Sequence, residues 1–305
     1  RTPNLPIKYL DKYECQELDI YEFIRQNKEL DSFFRKALLT ASPTLYKSYV
    51  NRPTDEKGYK NLTESLLKYF LRSVGRPTPY GYFASVALGK FDESTCLLRG
   101  KQLLDLRVDN NWINQIVSLL EKEDAIQGKL KVRYNPLCYI SGDRVKNLYF
   151  TSHGKAEDEK KIIEEKSIRH TPLTDLLKSL ASDFIILKEL SDRVKESYGA
   201  VPETVIAKTL GDMIENEFLI SDLRIPAYCV DPLAYIIQKL DEIEYSGHYL
   251  FELRKIQDLL EEYHKEESEE ILQEIYKRMS AIKIKKDQNY FVLPCKKRIL
   301  SSFFL

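Results

Sequence analysis

Lys68-Tyr-Phe-Leu-Arg-Ser-Val-Gly-Arg-Pro-Thr-Pro-Tyr-Gly-Tyr-Phe-Ala-Ser-Val86 reads as a helix that runs into a proline-stiffened corner. Leu62, Leu66, Leu67, Phe70, Leu71 and Val74 recur at helical spacing, and Lys68 and Arg72 fall one turn apart on the other face. Gly75, Pro77, Pro79 and Gly81 then end the helix. Each proline fixes φ and removes a backbone donor, so residues 76–79 should leave as a rigid extended turn. Arg76 follows Arg72 by one turn and Thr78 stands just beyond. Two guanidiniums and a hydroxyl converging at one helix end make a fork suited to phosphate or carboxylate. The same residues also fit a plain helix stop, in which cations complement the dipole and the last carbonyls.

The rest of the composition narrows the class. A chain of 305 residues has room for about two domains and a sizeable core, and 43% hydrophobic with 31% charged residues is a globular balance. It opens at Arg1 without a signal-like segment or a long apolar run, so the expectation is a cytoplasmic protein, or a fragment of one, with no transmembrane segment. Cys15, Cys96, Cys138, Cys229 and Cys295 are odd in number and widely spread, which indicates buried thiols rather than a disulfide framework or a zinc site. His153, His170, His248 and His264 all lie far from the opening run, so no metal site is expected.

Net charge is zero, from 47 basic and 47 acidic residues, but it is unevenly spread. Residues 32–90 hold ten basic side chains against three acidic, a local +7, and residues 241–274 hold twelve acids against three bases, a local −9. A basic segment that coincides with a candidate anion site is what an RNA phosphate backbone needs, although charge runs are as readily solvated faces.

The run from Arg72 to Val86 closely resembles the signature of the lantibiotic (lanthipeptide) dehydratase family, an Arg-x-x-x-Arg-x-Thr-Pro-aromatic-Gly pattern. Arg1-Thr-Pro resembles the opening of that family's first strand. Ile168-Arg-His-Thr-Pro-Leu, Glu217-Phe-Leu-Ile-Ser-Asp-Leu-Arg224 and Asp231-Pro-Leu-Ala-Tyr-Ile-Ile-Gln-Lys-Leu240 resemble later landmarks in the right order. The resemblance covers essentially the whole chain, yet family members are much longer, so it points to the first part of the N-terminal, glutamylating domain.

Along the first segment, residues 1–128, the pattern gives helices over 17–30, 30–40 and 45–52, strands over 82–88 and 95–106, and a helix with Trp112, Ile113, Ile116, Val117 and Leu120 inward. Asp109 stands at the N-cap or first turn of that helix. The resemblance further implies an active-site role for Asp109, and places another such aspartate at Asp287, where Lys285 and Lys286 depart from the expected apolar pattern.

Residues 129–224 form a second unit. Strands over 130–136, 137–140, 145–151 and 161–168, with a turn at Gly142-Asp143, precede helices over 172–181, 186–198 and 202–216, and Phe218-Leu-Ile-Ser closes the set. That order suggests a winged-helix unit. Its third helix carries Glu203, Asp212, Glu215 and Glu217 against Lys208, which a DNA phosphate groove would repel. Peptide binding is the better reading, with an extended ligand beside the strand at Ile162, Ile163, Lys166 and Ile168 and its side chains against Ile206 and Leu210. A small domain that merely packs on its neighbours is the plain alternative. The resemblance implies a precursor-peptide recognition element here.

Residues 225–305 read as three helices and a strand over 286–293, which makes the whole an α+β chain of mixed sheets with flanking helices and a helical C-terminal segment. The resemblance implies that glutamate passes from glutamyl-tRNA, the co-substrate, to Ser or Thr of a ribosomal precursor peptide, and that elimination then leaves a dehydroamino acid. Ester-to-ester transfer is nearly isoenergetic, so no ATP, metal or other cofactor is expected, and positioning with electrostatics carries the rate. In that scheme Arg72, Arg76 and Thr78 hold the acceptor-end phosphates or the glutamyl carboxylate, and Arg1 and Lys68 add positive charge. The fragment alone is expected to be inactive. A homodimer, and membrane association through a biosynthetic complex, stay open. So do two other functions: a peptide aminoacyl-tRNA ligase of the same superfamily, and a non-catalytic peptide-binding scaffold.

Overall fold

In a computed structural model of the chain, the helix before the proline corner spans Glu56–Gly75. The structure describes residues 2–15, 17–78, 81–85, 102–150, 164–282 and 295–301. These divide into two units, one built from residues 1–109, 258–280 and 287–305, the other from residues 110–257 and 281–286.

The first unit begins with β1 (Thr2–Pro3), α1 (Lys8–Glu14), α2 (Ile20–Gln26), α3 (Lys28–Ala41), α4 (Pro43–Val50) and α5 (Glu56–Gly75). A 3-10 turn, Gly81–Phe83, leads into β2 (Ala84–Ser85), and β3 covers Gln102–Val108. The Asp55 carboxylate caps α5 by accepting the Gly58 N–H at 2.7 Å. Leu62, Leu66, Phe70 and Val74 are buried one turn apart, and the Phe70 ring meets Tyr13 and Phe23 with centroids 5.6 and 5.9 Å away. Leu71, counted with that apolar stripe on spacing, is instead 45% exposed, because it lies beside the stripe and not on it.

Three local features depart from the sequence pattern. Residues 17–40 are two helices, since the Asn27 side chain accepts from the Glu29 and Leu30 N–H groups and starts a new helix there. α1, at Lys8–Glu14, falls where the sequence pattern assigns no element. Tyr82 and Phe83 belong to the 3-10 turn, and the strand starts only at Ala84. Of the expected buried thiols, Cys138 is buried, Cys229 is partly so, and Cys15 is exposed at the end of α1.

The second unit runs through α6 (Asn110–Leu120), α7 (Asp124–Gln127), β4 (Lys131–Tyr134), β5 (Tyr139–Ser141), β6 (Arg144–Phe150) and β7 (Glu164–Arg169). It continues with α8 (Pro172–Leu180), β8 (Ile185–Ile186), α9 (Leu187–Ser197), α10 (Glu203–Glu215), β9 (Leu219–Ser221) and α11 (Pro232–Glu242). All five apolar residues expected to face inward on α6 are buried. The strands form two antiparallel sheets, β8–β4–β9 and β5–β6–β7. β4, the centre of the first sheet, alternates exposed and buried with Val132 and Tyr134 inward. Gly142 supplies the positive φ of 61° that the β5–β6 turn requires. Asp231 caps α11 by accepting the Ala234 N–H at 3.0 Å, with Pro232 in the first turn. Asp231→Ala is expected to cost about 1 kcal/mol of stability, read by urea denaturation.

α12 (His248–Lys265) and α13 (Glu269–Ala281) follow, then β10 (Cys295–Ser301), which pairs antiparallel with β3 from Cys295↔Val108 to Ser301↔Gln102. The strand expected over 286–293 lies outside the described residues.

Candidate functional site

At the end of α5 the chain does what its prolines dictate. Arg76, the last capped position, has left the helix for extended backbone (φ −113°, ψ 118°), and its N–H reaches back to the Arg72 carbonyl at 3.1 Å. Lys68, Tyr69, Leu71, Arg72 and Arg76 line a cleft of about 610 Å³. Three cations spaced by four residues on one helix thus share one concavity, with an aromatic ring and an exposed leucine beside them. Arg76 and Thr78 are exposed, and Arg72 is half-buried. Among the described residues, neither Lys68 nor Arg76 forms an ion pair, so both charges are open to a ligand. The Tyr69 ring rests on Phe83, centroids 5.0 Å apart and planes at 31°, which ties the helix to the segment beyond the corner. Gly81 sits at φ +53° with open space where a side chain would begin, so this position favours glycine for its backbone alone.

The basic excess in residues 32–90 is smaller than its count. Arg35 bonds Asp31 at 3.0 Å and lies 4.0 Å from Glu269, Lys36 lies 3.5 Å from Glu267, and Arg52 bonds Glu22 at 2.9 Å. Burial would raise the Asp31 carboxyl, but bonds from Tyr49, Arg35 and Arg25 outweigh it and hold the group below the usual carboxylate range. Part of the acidic run at 241–274 therefore neutralises part of the basic run. Lys68 and Arg76, which take part in none of these pairs, both line the cleft.

Of the other residues singled out, Arg1, Ile162, Ile163 and Asp287 lie outside the described residues. Asp109 directly precedes α6 and is 4% exposed. It is not among the described residues that line the cleft. Lys166, on edge strand β7, pairs with Glu164 at 2.7 Å and sits 4.8 Å over the Phe150 ring, while Ile168 is half-exposed opposite Val145. Ile206 and Leu210 are 4% and 3% exposed, so those two side chains are core, and the large apolar side chain that α10 exposes is Val205, at 49%. Glu217 follows α10 in left-handed backbone (φ 59°), its carbonyl accepting from the Asn135 amide at 2.8 Å and the Asn147 amide at 3.4 Å.

Sequence reasoning missed Leu71 as a cleft residue, because spacing counted it with the buried stripe, and it did not single out Tyr69. It also missed a buried ion pair. Arg224 grips Glu121 through two bonds of 2.9 and 2.8 Å, and the Ser221 hydroxyl donates to the same carboxylate at 2.7 Å. Burial pushes the Glu121 carboxyl up despite Arg224. Among the described residues no group of three or more His, Cys, Asp or Glu is placed to hold a metal, and no helix is long and apolar enough to cross a membrane.

The family model described as lantibiotic dehydratase, N terminus, matches residues 30–293. The subtilin biosynthesis protein SpaB of Bacillus subtilis is 31% identical over 242 residues, which are 77% of this chain and 22% of that protein. The nisin biosynthesis protein NisB of Lactococcus lactis subsp. lactis is 29% identical over 271 residues, 86% of this chain and 26% of that one. The chain therefore spans about a quarter of the length of these curated relatives. Among solved structures, the tRNA dependent lantibiotic dehydratase MibB from Microbispora sp. 107891 aligns at a TM-score of 0.75 and 20% identity, over 93% of this chain and 28% of that one. The glutamylation domain of TbtB from thiomuracin biosynthesis aligns at 0.59 and 18% identity, over 92% and 33%. At these identities the structural likeness speaks for the fold.

Proposed function

The chain belongs to the lantibiotic dehydratase family, in its N-terminal region, and from that premise we propose that it forms part of a glutamylation domain that moves glutamate from glutamyl-tRNA onto Ser or Thr of a ribosomal precursor peptide. The observation that carries this is the open cleft of Lys68, Arg72 and Arg76 at the end of the signature helix. A cationic cleft with an aromatic wall suits the terminal phosphates of an RNA acceptor end, and the paired guanidiniums can stabilise charge that builds on the transferred ester. Thr78 would add a hydroxyl, Arg1 a further charge and Asp109 a carboxylate. No ATP or metal is required by an ester-to-ester step.

Residues 129–224 would act as a winged-helix-like precursor-peptide recognition element between two parts of the glutamylation domain, residues 1–128 and 225–305. Three consecutive helices, α8 to α10, with the three-stranded sheet β8–β4–β9 support that reading. The edge of β7, unpaired among the described residues, would give an extended peptide a place to pair.

The test is mass spectrometry of a precursor peptide treated with glutamyl-tRNA and the enzyme that carries this chain. Glutamyl adducts or water loss at Ser and Thr support the proposal. A residue added at the peptide's C-terminus supports ligation, and an unmodified but bound peptide supports a scaffold. Lys68→Ala is expected to weaken acceptor-stem RNA binding and to lower the slope of log affinity against log salt by about 1, as for loss of one phosphate contact. Fluorescence anisotropy across a salt series measures it.

A further inference from the structure

Helix α5 ends with a carbonyl that the helix itself cannot satisfy. The Ser73 carbonyl would take the N–H of residue 77 if the helix continued, but residue 77 is proline and has none. The Leu5 N–H fills the gap at 3.0 Å. One residue earlier, Asn4 reaches the other side of the corner: its N–H donates to the Phe83 carbonyl at 3.3 Å and its side-chain amide to the Tyr82 carbonyl at 2.6 Å. β1 extends the same contact, pairing Pro3 with Ala84 and Thr2 with Ser85. A single dipeptide near the N-terminus therefore holds Ser73 on one side and Tyr82–Phe83 on the other, and the segment between them carries Arg76 and Thr78.

We propose that Asn4 is a positioning residue for the anion cleft: with Leu5 it fixes both ends of the proline corner and so sets where the Arg76 guanidinium and the Thr78 hydroxyl point. This rests on the cleft reading above. Prolines stiffen the corner internally, but a stiff turn still pivots about its ends, and displacement of an anchor by about 1 Å is enough to lower the rate of a positioned reaction by about 100-fold. The side-chain amide of Asn4 matters because it carries a donor from the N-terminal segment to the Tyr82 carbonyl on the far side of the corner.

The experiment compares Asn4→Ala, Asn4→Gln and Arg76→Ala in two readouts: amide hydrogen exchange, and anisotropy of a labelled acceptor-stem RNA ending in CCA. For Asn4→Ala the amides of Arg76 and Thr78 are expected to exchange several-fold faster while those of Leu66 to Phe70 are unchanged. RNA affinity is expected to fall by about fivefold to tenfold, the effect of losing one hydrogen bond. The salt slope should not change, since no cation is removed. Asn4→Gln keeps the donor on a longer arm and should recover part of both effects. The inference is overturned if Asn4→Ala exchanges like the unaltered protein, or if exchange rises throughout α5, which would make the effect one of general stability. If Arg76→Ala binds RNA normally, the cleft reading fails, and the exchange result still decides whether Asn4 holds the corner.

Discussion

Arg76→Ala is expected to lower glutamate transfer from glutamyl-tRNA by at least about 100-fold, the usual effect of removing one donor aimed at developing charge. The thermal midpoint should move by no more than about 2 °C, because exposed substitutions away from special features change stability by about 0.5 kcal/mol or less. Both halves follow from the structure. Arg76 is exposed, has no ion pair among the described residues, and its only described bond to α5 is made by its backbone N–H, which alanine keeps. Arg76→Lys retains charge but loses the planar two-point fork, so it should recover only part of the rate. Single-turnover transfer of labelled glutamate, read beside differential scanning calorimetry, separates the outcomes. A variant that melts at a much lower temperature would make Arg76 structural and remove the basis of the site. Arg72→Ala is the less clean probe, since Arg72 is half-buried and its loss also disturbs packing.

The corner was legible because its chemistry is local. Proline and glycine act on their own residues and immediate neighbours, so the stop after Gly75 and the extended Arg76 follow from the letters alone. Capped helices were legible for the same reason: Asp231-Pro232 starts α11 and Thr171-Pro172 starts α8. What failed depended on partners far along the chain. The Asn4-to-Tyr82 bond joins residues 78 apart and the Leu5-to-Ser73 bond reaches nearly as far, and nothing in Arg1-Thr-Pro-Asn announces them. Charge counting failed likewise, because Arg35 and Lys36 meet acids more than two hundred residues away, at Glu269 and Glu267. Helix spacing correctly marked α10 as amphipathic but could not say that Ile206 and Leu210 face the unit's interior.

Arg224→Met is expected to destabilise the second unit by about 3–5 kcal/mol near neutral pH, the cost of leaving a buried carboxylate without its cation. Glu121 and Arg224 have side chains only 5% and 18% exposed, and Ser221 alone would remain on the carboxylate. The pH dependence has a definite sign. Burial already raises the Glu121 carboxyl above its ordinary value, with Arg224 and the Ser221 bond opposing it, so removing Arg224 raises it further. A group whose folded value lies above its unfolded one favours the fold fully below the unfolded value, and that contribution is lost as pH rises through the folded value. The variant should therefore lie closest to the unaltered protein near pH 4, where Glu121 is mostly neutral in both states, and fall progressively behind as pH rises toward 7. Pairing Arg224→Met with Glu121→Leu removes both charges and should restore most of the loss, since an apolar replacement of a buried ion pair is often neutral or better. Urea denaturation of the single and double variants at both pH values measures this. If Arg224→Met costs the same at pH 4 as at pH 7, the effect comes from lost packing and not from a stranded carboxylate.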